Sequence, residues 1–119
     1  MAIESNMHNK KLGAKGEKTA RKYLKRHGWK IIKKNYVSPF GEIDIIVRKG
    51  EVMAFVEVKT RVSDEYGTPS EAVDKRRKLR YISGANYFLR NKINDFVVRF
   101  DIIEVFEGQI NHIENAFYA

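Results

Sequence analysis

Short runs of alternating apolar and polar residues make up much of this chain, and two longer stretches have the spacing of amphipathic helices. Within residues 11–27, apolar or small residues recur every three or four positions, and basic residues fill the rest of the surface. Gly28 comes next, and glycine commonly follows a helix end. This pattern predicts a helix over residues 11–27 and a flexible tail over residues 1–8.

Residues 42–48 and 52–60 each alternate with a period of two around Lys49-Gly50, which predicts an antiparallel hairpin. A loop of two or four residues sets residue 44 opposite residue 55 and residue 42 opposite residue 57. One face of the hairpin is then wholly apolar and consists of Ile43, Ile45, Val47, Val52, Ala54, Val56 and Val58. A three-residue loop would shift the register by one and spoil this face, so we expect the first register.

The other face of the hairpin is apolar near the turn, but its far end carries four charged residues: Glu42, Asp44, Glu57 and Lys59. Charged side chains are seldom buried without partners, because removing an unpaired charge from water is costly. Two explanations are open. Either these residues neutralise one another, or a bound ion completes the group.

The remaining segments predict strands over 29–34, 96–106 and 109–113, with a turn at Ser38-Pro39. A second helix starts at a capping box, Thr68-Pro69-Ser70-Glu71, and runs to about Arg90. Its predicted inward residues are Ala72, Leu79, Ile82, Asn86 and Leu89. The order α-β-β-β-α-β-β predicts a mixed sheet of about five strands flanked by helices, in the α/β or α+β class.

The composition is that of a globular domain, since 43% of the 119 residues are hydrophobic, and we expect one domain over residues 9–119. No apolar run approaches the roughly 20 residues that span a bilayer, and the first residues contain no hydrophobic segment of the signal-peptide kind. There is no cysteine, so neither disulfides nor thiol chemistry is available. These features predict a cytoplasmic protein without a membrane partner.

Positive charge is in excess, with 23 Lys or Arg against 15 Asp or Glu and a net charge of +8. Residues 8–34 contain eleven Lys or Arg and a single acid, Glu17, and a second basic cluster lies at residues 75–80. The acids are denser between residues 42 and 74. A basic surface around an acidic centre suits a cation-dependent enzyme acting on nucleic acid, although charges on helix exteriors give the same distribution.

The charged end of the hairpin has the residue types needed to hydrolyse a phosphodiester. A divalent cation activates water and neutralises charge when a protein offers hard oxygen ligands and leaves positions open. Asp44 and Glu57, aided by the carbonyl of Val58, are the candidate ligands, and Glu17 is a further one, directly or through water. Lys59 projects from the same face and is the candidate to orient or deprotonate the water, or to offset charge in the transition state.

Six stretches in this order resemble the bacterial YraN family and cover nearly the whole chain: GAKGEKTARKYL, GEIDIIVRKG, FVEVKTR, GTPSEAVDKRRK, RFDIIEV and HIENAF. Asp44 with Glu57-Val58-Lys59 also resembles the PD-(D/E)xK motif of a nuclease superfamily that includes type II restriction enzymes and archaeal Holliday-junction resolvases. The YraN family is distantly similar to those resolvases. One departure is Ile43, which precedes Asp44 where many members of the superfamily have proline.

The resemblance implies a restriction-endonuclease-like fold and a DNA endonuclease dependent on Mg²⁺ or Mn²⁺. It implies Asp44, Glu57, Lys59 and Glu17 as catalytic residues, and branched or flapped DNA as the substrate. The likeness to resolvases also implies a homodimer, because a junction presents symmetric strands. Phosphate contacts are expected from five basic residues, namely Lys75, Arg76, Arg77, Lys15 and Arg61.

Structural alternatives stand beside these roles. Glu57 and Lys59 could form an ion pair with Asp44 attached, and Glu17 could pair with Arg21 one helical turn away. Arg99 and Asp101 lie on one strand face and are expected to form a structural pair. For the whole protein, the alternative to a nuclease is a non-catalytic module that binds nucleic acid or a protein on the same fold.

Overall fold

A computed structural model gives the fold of the chain and describes residues 2–61, 75–92 and 96–117, with side chains described from residue 11. The elements follow the predicted order, and five strands form one mixed sheet in the order β1-β2-β3-β4-β5. Strands β3 and β4 run parallel, and the other neighbouring strands are antiparallel. The predicted fold class is therefore confirmed. The element bounds are α1 (Ala2–Arg26), β1 (Lys30–Ser38), β2 (Gly41–Lys49), β3 (Val52–Arg61), α2 (Lys75–Leu89), β4 (Val97–Phe106) and β5 (Gln109–Phe117).

The two helices lie on opposite faces of the sheet, and each covers its own apolar cluster. The α1-side core combines residues of α1 with one face of β2, β3 and β4: Ala20, Leu24, Trp29, Ile45, Val47, Ala54, Val56, Ile103 and Val105. The α2-side core contains Ile43, Ile46, Met53, Phe55, Tyr81, Ala85, Phe88, Phe100, Ile102 and Phe117. In the described part of the chain, neither helix is long and apolar enough to cross a membrane.

Helix α1 ends as its sequence predicts. Gly28 has a φ of 87°, and its N–H donates to the carbonyl of Lys25 while the N–H of Trp29 donates to the carbonyl of Leu24. This pair of bonds is a Schellman motif, in which glycine adopts the left-handed backbone and the flanking apolar side chains pack together. The helix begins at Ala2 rather than at residue 11. The predicted mobility of residues 1–8 is a separate property and stays a prediction.

The hairpin of β2 and β3 has a register two residues away from the predicted one. Ile46 pairs with Phe55 and Lys49 with Val52, so the loop consists of Gly50 and Glu51. A shift by two positions does not by itself move a side chain to the other face, because the period of a strand is two. The predicted gathering of charges at the far end of the hairpin therefore survives the error in register.

The prediction that Ile43 shares a face with Ile45 is wrong. Ile45 packs in the α1-side core, whereas Ile43 packs in the α2-side core. The change of face occurs beside Asn35 of β1, a residue with a left-handed φ of 49° between the paired positions Lys34–Ile45 and Tyr36–Ile43. Asparagine tolerates this backbone better than most residues, and the reversal of alternation turns the end of β2 towards α2.

The inward face of α2 also differs from the predicted one. Its buried residues are Tyr81, Gly84, Ala85 and Phe88, whereas Leu79 is 62% exposed and Asn86 is exposed. The predicted capping box at residues 68–71 and the predicted inward residue Ala72 lie outside the described residues. The helix ends at Leu89, close to the predicted end, and β5 runs to Phe117 rather than to residue 113.

The predicted pair of Arg99 and Asp101 is confirmed as the centre of a buried polar network. Arg99 donates from Nε to Asp101 Oδ1 at 3.0 Å and from Nη2 to Oδ2 at 2.8 Å. Nε2 of His112 lies 2.7 Å from Asp101 Oδ2, and the Tyr23 hydroxyl lies 3.0 Å from His112 Nδ1. These hydrogen bonds hold the pKa of the buried Asp101 carboxyl below its ordinary value, against the effect of burial. The network ties α1, β4 and β5 together.

Helix α1 approaches β3 most closely at Gly16. A Cβ at Gly16 would lie 1.9 Å from Thr60 Oγ1, whereas a Cβ at Gly13, in the same helix, would meet nothing within 4 Å. We expect Gly13→Ala to stabilise the fold by about 0.5 to 1 kcal/mol, because alanine is the better helix former. Gly16→Ala should destabilise it by about 1 to 3 kcal/mol through overpacking. Urea unfolding of both variants measures the difference.

A matched double variant tests the cause of that difference. Gly16→Ala combined with Thr60→Ala removes the clashing Oγ1 and leaves the Thr60 Cβ at 3.2 Å as the nearest side-chain atom. In the Thr60→Ala background, Gly16→Ala should lower the free energy of unfolding by less than it does in the parent. Equal stabilisation by Gly13→Ala and Gly16→Ala would contradict the packing of α1 on β3.

Candidate functional site

A solvent-open cavity of about 500 Å³ lies where β2 and β3 separate, between α1 and α2. It brings together all the residues that the sequence predicts for catalysis or metal binding, namely Asp44, Glu57, Val58, Lys59 and Glu17. Its other lining residues are Glu42, Thr60, Arg77, Arg80 and Tyr81. The predicted convergence of Asp44 with Glu57 and Lys59 on one concave patch therefore agrees with the structure.

Side chains replace backbone pairing at the floor of this cavity. The ladder between β2 and β3 ends at the pair Ile45–Val56, and beyond it the N–H of Val58 donates to Asp44 Oδ2 at 2.8 Å. The hydroxyl of Tyr81 accepts from the N–H of Asp44 at 3.3 Å and donates to the carbonyl of Val56 at 3.4 Å. A carboxylate and a phenol thus hold the two strands at a fixed separation.

Glu57 is buried, with 4% of its surface exposed, and faces two cations. Its Oε1 lies 2.9 Å from Nη1 of Arg77 and 3.9 Å from Nζ of Lys59. The side chain of Arg77 is 46% exposed, whereas that of Lys59 is 21% exposed. Glu57 thus forms the ion pair with Lys59 that the sequence offers as an alternative, and a closer one with Arg77. Arg77 is exposed and lies one turn before the buried Tyr81 on α2.

Asn35 connects the two carboxylates on the α1 side of the cavity. Its Nδ2 donates to Glu17 Oε1 at 2.8 Å and to Glu42 Oε1 at 2.8 Å. Glu17 of α1 is therefore hydrogen-bonded to a residue of β1. Its predicted alternative pairing with Arg21 is not among the ion pairs of the described residues. The left-handed backbone of Asn35 presents its amide towards α1.

The predicted phosphate-binding residues fall into three places. Arg77 lines the cavity, while Lys75 and Arg76 are exposed on α2 outside it. Lys15 and Arg61 line a second cavity, of about 120 Å³, which shares Thr60 with the first. Arg61 forms an ion pair with Glu104. The structure thus places basic side chains on both the α1 and the α2 sides of the acidic centre.

The electrostatics of the cavity are dominated by carboxylates that lie near one another. Burial, together with the charges of Glu17, Glu57 and Glu42, raises the pKa of Asp44 to about 7, although the hydrogen bond from Val58 acts in the opposite direction. Burial, with Asp44 and Glu57 nearby, also raises the pKa of Tyr81 well above its ordinary value. Four carboxyl groups thus share the cavity with three basic side chains, those of Lys59, Arg77 and Arg80.

The donor chemistry fits a hard divalent cation. Carboxylate and carbonyl oxygens are the ligands that Mg²⁺ and Mn²⁺ prefer, and Asp44, Glu57, Val58 and Glu17 all line the cavity. Among the described residues, no group of three or more His, Cys, Asp or Glu side chains is close enough to form a ready metal cluster. The predicted ligand set of Asp44, Glu57 and the Val58 carbonyl, with Glu17 directly or through water, therefore stays a prediction.

Sequence reasoning missed three lining residues of the cavity, namely Thr60, Arg80 and Tyr81, as well as Asn35, which holds Glu17 and Glu42. Tyr81 was missed because several predicted inward residues of α2 lie one position away from the buried ones. Nothing in the local pattern around Asn35 indicates its left-handed backbone.

The raised pKa of Asp44 predicts a dependence of stability on pH. The folded state holds the Asp44 proton up to about pH 7, whereas the unfolded chain releases it near pH 4. The contribution of Asp44 to stability is therefore greatest below that lower pKa and falls as the pH rises from about 4 to about 7. Asp44→Asn is neutral throughout and can still accept the Val58 N–H, so it should exceed the parent at pH 8 by on the order of 1 to 3 kcal/mol. Urea unfolding between pH 4 and pH 8 measures this, with Glu51→Gln, at an exposed residue of the hairpin loop outside the cavity, as the control. A parent curve without this slope would contradict the assignment.

Comparison with known proteins places the chain in a family. The model of the "Uncharacterised protein family UPF0102" matches residues 16–105. The chain is similar to a UPF0102 protein of Alkaliphilus oremlandii, with 49% identity over 92% of the chain and 99% of the relative. It is also similar to one of Geobacter metallireducens, with 47% identity over 94% of the chain and 96% of the relative. The family relationship predicted from the ordered motifs is thus confirmed at this level, and the chain belongs to the UPF0102 family.

Proposed function

We propose that this protein is a metal-dependent endonuclease that hydrolyses phosphodiester bonds in DNA. The observation that carries the proposal is the convergence of Asp44, Glu57 and Lys59 in one open cavity, with Arg77 and Arg80 beside them. Two carboxylates and a lysine at this spacing are the residue types of the PD-(D/E)xK motif. A protein that only binds nucleic acid has no use for buried carboxylates that repel phosphate.

Mg²⁺ or Mn²⁺ would be held by the carboxylates of Asp44 and Glu57 and the carbonyl of Val58. Such an ion, when bound, lowers the pKa of a water molecule and neutralises charge on a phosphoryl group. The raised pKa of Asp44 makes ion binding depend on pH, because Asp44 must release its proton to become a ligand. Glu17, held by Asn35 at the edge of the cavity, would orient a water of the ion.

The cationic side chains of the cavity would act on the substrate. Lys59 would orient the attacking water or offset the charge that develops on the phosphate. Arg77 and Arg80 project from α2 into the same space and would bind the non-bridging oxygens of the scissile phosphate through charged hydrogen bonds. The phosphate would thus lie between α2 and the ends of β2 and β3.

DNA is the proposed partner because basic side chains flank the cavity on both sides. Lys15 and Arg61 beyond Thr60, and Lys75 and Arg76 along α2, would contact phosphates on either side of the scissile bond without reading bases. Branched or flapped DNA is the proposed substrate class, and two copies of the chain would cut the symmetric strands of a junction as a homodimer.

One observation favours the alternative, a module that binds nucleic acid or a protein without cutting. The ion pair of Arg77 with Glu57 satisfies that carboxylate without an ion. In that case Asp44, Glu57 and Lys59 would serve the stability of the strand ends, and the basic surfaces would be the functional part of the molecule. The following experiments separate the two functions.

The direct test is a substrate panel. Purified protein is incubated with end-labelled duplex, flap, four-way-junction and single-stranded DNA in Mg²⁺, in Mn²⁺ or in chelator. The proposal expects cleavage that requires the metal and is faster on flap or junction than on duplex. Cleavage that persists in chelator, or in a parallel preparation of Glu57→Gln, would identify a contaminant. Binding to the same panel without cleavage in either metal would favour the alternative.

Two substitutions separate the roles of the motif residues. Glu57→Gln removes a ligand charge and should weaken Mn²⁺ binding, reduce cleavage by roughly 100-fold or more, and leave DNA binding intact or tighter. Lys59→Met should reduce cleavage by roughly 100-fold while Mn²⁺ affinity survives, because it removes the cation that acts on water or phosphate. Calorimetric Mn²⁺ titration beside thermal melts measures both effects. A Glu57→Gln variant that loses stability but binds Mn²⁺ like the parent would end the nuclease assignment.

A further inference from the structure

The pairing of Arg77 with Glu57 conflicts with metal binding at the same carboxylate. Arg77 Nη1 lies 2.9 Å from Glu57 Oε1, and Lys59 Nζ lies 3.9 Å from that same oxygen. An oxygen that accepts from a guanidinium has fewer lone pairs for an ion, and a divalent cation there would be repelled by the nearby guanidinium. Arg77 contacts one of the two oxygens of Glu57, and its charge opposes a divalent cation at either of them, so the guanidinium and the ion compete for this carboxylate.

Arg77 is built to exchange partners without a movement of its helix. Tyr81 follows it by one turn of α2 and is fixed by hydrogen bonds to the backbone of Asp44 and Val56. The backbone of α2 is therefore held at the cavity, while the long side chain of Arg77 is 46% exposed. The stem of arginine is flexible and its guanidinium carries five N–H donors, so a change in its side-chain torsions alone could move Arg77 from Glu57 to a phosphate oxygen.

We propose that Arg77 is a substrate-controlled gate on the metal site: it pairs with Glu57 in the free protein and transfers to a DNA phosphate when substrate binds. The transfer releases Glu57 to the ion, so that DNA and metal bind with positive cooperativity. The inference rests on the proposed nuclease function and names the residue that couples its two ligands. The free protein would therefore bind its metal more weakly than the DNA-bound protein does.

Thermodynamic linkage between metal binding and DNA binding predicts the behaviour of a variant without the guanidinium. Arg77→Met keeps the aliphatic length but loses the charge, so the metal-free cavity no longer competes with the ion for Glu57. Its affinity for Mn²⁺ in the absence of DNA should rise by roughly 5-fold or more, within the ordinary range of coupling between sites. Its affinity for DNA should fall, with a salt dependence smaller by about one phosphate contact.

Arg80 provides the matched control. It lies on the same helix, lines the same cavity and carries the same charge, but it forms no ion pair with Glu57 in the described structure. Arg80→Met should therefore weaken DNA binding in the same way and leave the affinity for Mn²⁺ close to that of the parent. Arg77→Lys keeps a positive charge near Glu57 and should give an intermediate Mn²⁺ affinity, which guards against a folding defect in Arg77→Met.

The experiment is calorimetric titration of Mn²⁺ into the parent, Arg77→Met, Arg77→Lys and Arg80→Met, with and without a junction whose scissile linkages are phosphorothioate. The gate predicts that DNA raises the Mn²⁺ affinity of the parent and of Arg80→Met by a larger factor than that of Arg77→Met. Equal factors in all variants, or a metal-free Arg77→Met that binds Mn²⁺ no better than Arg80→Met, would overturn it.

The outcomes distinguish the gate from the nuclease function on which it rests. If the parent binds Mn²⁺ cooperatively with DNA through Arg77 but cuts no substrate of the panel, the gate stands and the nuclease proposal fails. If the parent cuts DNA but Arg77→Met and Arg80→Met have the same metal affinity, the nuclease stands and the gate fails. If neither the parent nor Arg77→Met binds Mn²⁺ with or without DNA, both are overturned.

Discussion

The separation of β2 from β3 at Asp44 is the constraint on which the rest of this molecule depends. Backbone groups at a strand end must find partners, because burying them unpaired costs as much as a lost hydrogen bond. Here the Asp44 carboxylate accepts a hydrogen bond from the N–H of Val58. The Tyr81 hydroxyl accepts from the N–H of Asp44 and donates to the carbonyl of Val56. Strand β3 stays paired with β4 along its whole length. The cavity thus opens beside β3, which remains hydrogen-bonded to β4.

The electrostatic state of the cavity follows from that use of Asp44. The Asp44 carboxyl takes the place of a backbone acceptor and is therefore buried beside the Val58 N–H. Burial raises its pKa, and the nearby Glu17 and Glu57 add to the rise, to about 7. A core that needed stability alone would be better served by an uncharged acceptor. In the proposed function, a cationic ligand would convert repulsion among these carboxylates into coordination.

The charged face of the hairpin could be predicted from the sequence because strand periodicity is insensitive to the exact loop. The predicted register differed from the observed one by two residues, and Asp44, Glu57 and Lys59 nevertheless line one cavity. Ile43 was placed on the wrong face because the alternation reverses beside the left-handed backbone of Asn35, and such a backbone leaves no mark on hydrophobic patterning. The inward face of α2 was predicted in part: Ile82 and Leu89 pack against the α2-side core, but the buried stripe consists of Tyr81, Gly84, Ala85 and Phe88. Two of these four are small residues that a search for large apolar side chains overlooks.

Close helix packing explains why the acidic and basic halves of the cavity meet. Gly16 lets α1 approach Thr60 of β3 without an intervening side chain, and Glu17 is the next residue, so its carboxylate is delivered to the edge of the cavity. On the opposite face, a Cβ at Gly84 would lie 3.1 Å from Ile43, so α2 also lies close to the sheet and brings Tyr81 and Arg77 over the strand ends. Glu17 thus directly follows the close contact at Gly16, whereas Tyr81 and Arg77 precede Gly84 by about one and two helical turns. The site is positioned by packing against β2 and β3, and a change in either helix contact would move charge into or out of the cavity.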